Sequence, residues 1–184
     1  MRRIARACGF LAILALAATA SADEIEVREV ALRSVDEGLA LDADFEFELS
    51  PRLAEVVANG VPLYFRVDFE LTRPRWYWFD DRAASRQMHL RLSYHALSRQ
   101  YRLSTGPLQQ SFATLEEALK VLKRVRNWLV VDRGASLAAA DYEAAVRMRL
   151  DGALLPKPFQ LSALTDRDLQ LESPWRRFIM RASR

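Results

Sequence analysis

Two histidines, His89 and His95, are the first side chains to weigh for acid–base or metal chemistry. Both fall on the side opposite Met88, Leu90, Leu92 and Tyr94 in an alternating stretch. Six residues of extended strand set them roughly 20 Å apart, too far for one metal unless the chain turns between them. Asp80 and Asp81 are adjacent acids, yet neighbours on an extended chain point to opposite faces, and a calcium site needs several converging oxygens. The sequence has no G-x-S-x-G elbow, no H-E-x-x-H helix and no glycine-rich phosphate loop. These residues assign no catalytic group, no metal site and no cofactor.

Two clusters suit contact better than catalysis. Arg73-Pro74-Arg75-Trp76-Tyr77-Trp78-Phe79 sets four aromatics in a row beside two guanidiniums. On an extended backbone Trp76 and Trp78 point one way, Tyr77 and Phe79 the other. Either both faces are covered at one end of the fold, or one is a contact surface, where aromatics and arginine are enriched. With His95 and Arg99 from the Tyr94 to Tyr101 stretch, Arg73, Arg75, Trp76 and Trp78 form the candidate binding surface. The tail, Pro174 to Arg181, carries Trp175, Arg176, Arg177 and Phe178. It reads as a terminal strand ending in solvated arginines, or as a segment resting on anionic lipid headgroups.

The elements that must position these residues are mostly strands. From Leu39 to Leu49 the odd positions are apolar and the even ones include Asp42, Asp44, Glu46 and Glu48. The same period of two recurs from Val61 to Leu71, from Met88 to Tyr94 and from Tyr142 to Leu150. Weaker strands are expected at Ile25 to Leu32, Gln100 to Leu103, Trp128 to Val131, Phe159 to Leu164, and from Leu169 into Met180. Ser50, Pro51 and Asn59-Gly60 frame a short helix at about 51–58. Thr114 and Glu117 form a capping box for a second at about 114–126. One-sided strands of this kind need a shared core, so the expected fold is mainly β: an antiparallel β-sandwich, immunoglobulin-like or a partly closed barrel, with one packed helix and one short one.

The first residues bear on where the protein works. Arg2, Arg3 and Arg6 precede an uncharged run from Ala7 to Ala18, and two A-x-A registers follow, Ala18-Thr19-Ala20 and Ala20-Ser21-Ala22. This is the pattern of a cleavable signal peptide over 1–22, leaving a single domain over 23–184 and a periplasmic location. The chain holds 27 Lys+Arg against 24 Asp+Glu. Three of those arginines belong to the leader, so the remainder is balanced and offers no surplus cation for nucleic acid. The only cysteine, Cys8, also lies in the leader. Charge is segregated along the chain, with acids concentrated over Asp23 to Glu55 and bases over Arg73 to Arg126. Strands from the two regions would complement each other if they became neighbours.

Gly60-Val61-Pro62-Leu63, the aromatic stretch around Trp76, Leu92 to Ser104 and Pro156-Lys157-Pro158-Phe159-Gln160 together resemble an exported proteobacterial family, domain of unknown function 4390. Leu169 departs from that pattern, which has a tryptophan ahead of the Leu171 to Trp175 ending. The resemblance implies export and one compact domain, and it carries no catalytic residues. Members encoded near a membrane sensor kinase and its response regulator imply an accessory role. The expectation is therefore a soluble periplasmic binding or accessory protein, partnered by an inner-membrane sensor or another envelope protein. The alternatives are an enzyme on an envelope polymer, with His95 as base and Arg99 as anion clamp, or a membrane-surface protein using Trp175, Arg176 and Arg177. The residues leave the oligomeric state open.

Overall fold

A computed structural model of the chain describes residues 24–74, 81–135, 137–138, 140–157 and 169–181. In chain order its elements are β1 (Glu26–Val35), β2 (Gly38–Glu46), α1 (Pro51–Ala58), β3 (Leu63–Arg73), β4 (Asp81–His95), β5 (Gln100–Thr105), β6 (Leu108–Phe112), α2 (Leu115–Leu122), β7 (Arg124–Asp132), β8 (Asp141–Leu150) and β9 (Arg176–Arg181). Two antiparallel sheets result, one ordered β1-β2-β7 and the other β6-β5-β4-β3-β8-β9. Among the described residues the larger sheet ends at β6 on one side and β9 on the other without closing on itself. The fold is thus a sandwich of unequal sheets, and the barrel alternative falls away.

Alternation decides which face is buried. Leu63, Phe65, Val67, Phe69 and Leu71 of β3 are all fully buried, as are Leu92 of β4 and Ala144, Val146 and Met148 of β8. Across from them the smaller sheet contributes Leu41, Ala43 and Phe45 from β2 and Val125, Val130 and Val131 from β7. Burying each large apolar side chain stabilises the fold by about 1.5–3 kcal/mol. The Phe47 and Phe65 rings stack at 5.7 Å. Ser50 accepts the Leu53 amide at the start of α1, which lays Leu53, Val56 and Val57 on the core.

Three expectations need correcting. The second helix does not reach residue 126. Its capping box forms as anticipated, but α2 ends at Leu122, and Arg124 already begins β7. There the Phe45 amide donates to the Lys123 carbonyl, so pairing with β2 outcompetes continued helix. The final strand is also shorter than expected. Leu169 to Trp175 is not part of it, although Leu169 and Leu171 are buried and the Leu150 and Ser173 amides donate to Leu171 and Met148 carbonyls. An unanticipated strand, β6, follows the tight turn at Gly106-Pro107, where Gly106 has φ of 55°. The expected strand at Phe159 to Leu164 lies outside the described residues.

The segregated charges do meet. Asp42 of β2 accepts from Arg33 Nε of β1 at 2.7 Å and from the Asn127 amide of β7 at 2.7 Å. Asn127 has φ of 51° at a bulge in β7, a conformation asparagine tolerates better than most residues. Lys123 Nζ lies 2.6 Å from Glu46, and Arg126 bonds Asp44. The hydrogen bond from Arg33, then that from the Asn127 amide, holds the Asp42 carboxyl below its ordinary pKa. The bond from Lys123 does the same for Glu46. Groups lowered in the folded state contribute stability that is present above the ordinary carboxylate range and lost as pH falls through their folded values. We expect the urea midpoint to decline below about pH 4, and an Asp42→Asn variant to decline less steeply there. Equal slopes for the two proteins would rule out this contribution.

Candidate functional site

The larger sheet has six strands and the smaller three among the described residues, and the β4-β5-β6 wing of the larger one lies against α2. What covers the inner face of that wing is α2. Thr114 and Glu117 cap the helix reciprocally, the Thr114 hydroxyl accepting the Glu117 amide at 3.2 Å while the Glu117 carboxylate accepts the Ala113 and Thr114 amides. Ala118 and Leu122 then face the core. The cover is incomplete. Between α2 and the wing remains a groove of about 480 Å³, within the range of about 300–1,000 Å³ usual for small-ligand sites.

The floor of this groove is apolar, formed by Met88 and Leu90 of β4 and Leu103 of β5. Its rim is formed by Leu108 of β6 and Val121 of α2, which are 59% and 38% exposed. Lys120, Arg124 and Arg126 also line it, and no carboxylate does among the described residues. Lys120 is bonded to Glu116 and Arg126 to Asp44. Arg124 has no ion pair among the described residues. An apolar trough with one uncommitted guanidinium at its lip can seat an apolar group that carries negative charge at its end.

A second concentration of charge lies on the outer face of the same sheet. Asp68 is 5% exposed. Its carboxylate oxygens lie 3.1 Å from Arg66 Nε, 3.1 Å from Arg147 Nε and 3.5 Å from Arg149 Nε. Arg66 approaches without the alignment of a hydrogen bond, whereas Arg147 is bonded both to Asp68 and to Glu172, at 2.9 Å. The Arg147 guanidinium also covers the Trp175 ring at 4.5 Å. Strand register explains the gathering: Asp68 is paired with Arg147, and Arg66 with both His89 and Arg149. This cluster is an internally compensated part of the sheet. An open cavity of about 730 Å³ lies beside Arg66 and Arg149 and is also lined by Asp151, Leu169 and Glu172.

Those residues singled out from sequence that the structure describes do not converge. Arg75, Trp76 and Trp78 lie outside the described residues. Arg73 ends β3 and bonds Asp81 at 2.8 Å. His95 and Arg99 lie at the other end of β4, fourteen residues from Asp81, a separation of about 46 Å for extended chain. His95 serves its own turn: its Nδ1 lies 3.0 Å from the Ser98 hydroxyl and accepts the Ser98 amide at 3.3 Å. Arg99 is in the same turn with φ of 52°. His89 is exposed, opposite Arg66. Trp175 lies under Arg147, Arg177 bonds Glu143 at 2.9 Å, and Arg176 is exposed at the start of β9.

Sequence reasoning missed the groove residues Leu108, Val121, Lys120 and Arg124. A usable signal was the Gly106-Pro107 turn followed by Leu108, Gln110 and Phe112 at alternate positions. No three His, Cys, Asp or Glu side chains gather for a metal among the described residues. No helix among them is long and apolar enough to cross a membrane. A family model described as Domain of unknown function (DUF4390) matches residues 22–179. No curated protein and no solved structure matches the chain.

Proposed function

The chain belongs to the DUF4390 family, whose description assigns no activity, and on that premise we propose that it is an exported binding module, an accessory protein that engages another envelope component through the groove between α2 and the β4-β5-β6 wing. The observation that carries this reading is the pair Leu108 and Val121, apolar side chains left open to solvent on the two rims of one trough. Scattered exposed apolar residues need no explanation, but two that flank a single apolar cavity do. The arginine-led apolar run ahead of Ala22 supports export. No observation favours His95 as a catalytic base, since the ring nitrogen described is committed to its own turn.

The test places a photoreactive residue at Leu108, and separately at Leu97, which is 94% exposed in the β4–β5 turn. A discrete adduct from position 108 in intact cells, without one from position 97, is expected. A Leu108→Asp/Val121→Asp variant should lose that adduct's function while its melting temperature moves by only about 1–2 °C, as surface changes do. Adducts formed equally from both positions, or full function of the double variant, would sink the reading.

A further inference from the structure

The free edge of β6 specifies what enters the groove. Among the described residues the sandwich has four edge strands, β1, β7, β6 and β9. β1 carries Glu26, Arg28, Glu29 and Arg33; β7 carries Arg124, Arg126 and Asp132; β9 carries Arg176, Arg177 and Arg181. Charges on edges are how proteins prevent unwanted pairing. β6, with the sequence Leu-Gln-Gln-Ser-Phe, is the one of these four with no charge, and it contains no proline.

Register shows which backbone groups are on offer. A two-residue connection at Gly106-Pro107 makes Thr105 and Leu108 a hydrogen-bonded pair, and the alternation of an antiparallel ladder then extends this to Leu103 with Gln110 and Tyr101 with Phe112. The N–H and C=O groups of Gln109 and Ser111 consequently point away from β5, toward solvent. Leu108 and Gln110 direct their side chains to the groove. A strand laid about 4.8 Å beyond β6 would satisfy both free residues and send alternate side chains over Leu108 and Val121.

Resting on the binding reading above, we propose that β6 is a docking edge for an extended segment of a partner protein, which joins the larger sheet as a seventh strand, seats alternate apolar side chains in the groove and brings a carboxylate to Arg124. The charge argument selects the partner. The groove is lined by three cations and no acid among the described residues, and Arg124 has no ion pair among them. This is recognition by strand addition, in which main-chain bonds supply affinity and side-chain pockets supply selectivity.

The probe is a random dodecapeptide library displayed on phage, panned against the full chain. Enriched peptides should alternate apolar residues and include Asp or Glu. On adding one of them, the Gln109 and Ser111 amides of the unaltered chain should gain protection from hydrogen exchange. Gln109→Pro, which removes an outward N–H that β5 does not use, should weaken binding about tenfold or more. Arg124→Glu should weaken it most at low salt.

If the Leu108→Asp/Val121→Asp variant loses the peptides while Gln109→Pro keeps them, the groove stands as a binding site and strand addition is overturned. If neither change matters, both readings fall. Absence of enrichment together with saturable binding of sodium dodecanoate would make the occupant a small anionic amphiphile and overturn the proposal. A dimer abolished by Gln109→Pro would make the occupant a second copy of this chain, also against it. The exchange measurement uses the unaltered chain, so a variant that fails to fold does not shield the idea.

Discussion

Replacing Asp68 with alanine should lower the stability of the domain by about 3 kcal/mol, at the lower end of what removing one partner of a buried ion pair costs. The carboxylate is almost fully buried, and the Nε atoms of Arg66, Arg147 and Arg149 gather within 3.5 Å of it. Without it three guanidiniums crowd the middle of β3 and β8. Arg147 would keep Glu172, and Arg66 would keep Asp151 at 3.8 Å, which with partial solvation moderates the loss. Arg149 would keep no ion pair among the described residues. Urea unfolding measures the effect, and adding Arg149→Ala should return part of it as a coupling energy. A loss below about 1 kcal/mol, in the range of exposed pairs, would show that solvent already screens the cluster.

The second large effect is expected at Gly38, where β2 begins. Its φ is 145°, a conformation side chains rarely adopt, and an added Cβ would meet the Val131 carbonyl oxygen at 2.0 Å and the Arg133 amide nitrogen at 2.9 Å. Both obstacles are backbone. They cannot step aside without parting Gly38 from Asp132 in the β2–β7 ladder. Gly38→Ala should cost at least about 3 kcal/mol by combining strain with loss of pairing. Gly134→Ala is the control: its Cβ would meet nothing within 4 Å, and stability should hold or rise by a few tenths of a kcal/mol. Comparable melting temperatures for the two variants would contradict the close approach at Gly38.

What was legible in the sequence, and what was not, follows from which forces act locally. The strands β2, β3 and β8 announce themselves because each has one dry face, and the caps at Ser50 and Thr114 because they are chemistry within four residues. The end of α2 was hidden, since Lys123 to Arg126 suits a helix end electrostatically and only the β2 edge converts it to strand. β6 was hidden because two glutamines and a serine dilute its alternation. The site was hardest to read. Arg73 and His95 look like candidates for one site but stand at opposite ends of the β3–β4 pair, Arg73 ending β3 opposite Asp81 and His95 ending β4, whereas Leu108 and Val121 look unremarkable and are brought together by α2 folding back over the wing. Spacing along a chain reveals faces; it does not reveal which faces a connection will leave uncovered.

The order of strands in the larger sheet has a consequence for how the protein comes into being. β3 has β4 as one neighbour, close in sequence, but its other neighbour is β8, with Val67 opposite Met148. Contacts so distant in sequence form late, because the long loop between them must be closed first. A nascent chain emerging from the ribosome therefore shows Phe65, Val67 and Phe69 on an open ribbon until β8 has been synthesised. The larger sheet thus stays unlocked until the last quarter of the chain, which holds β8, has been made.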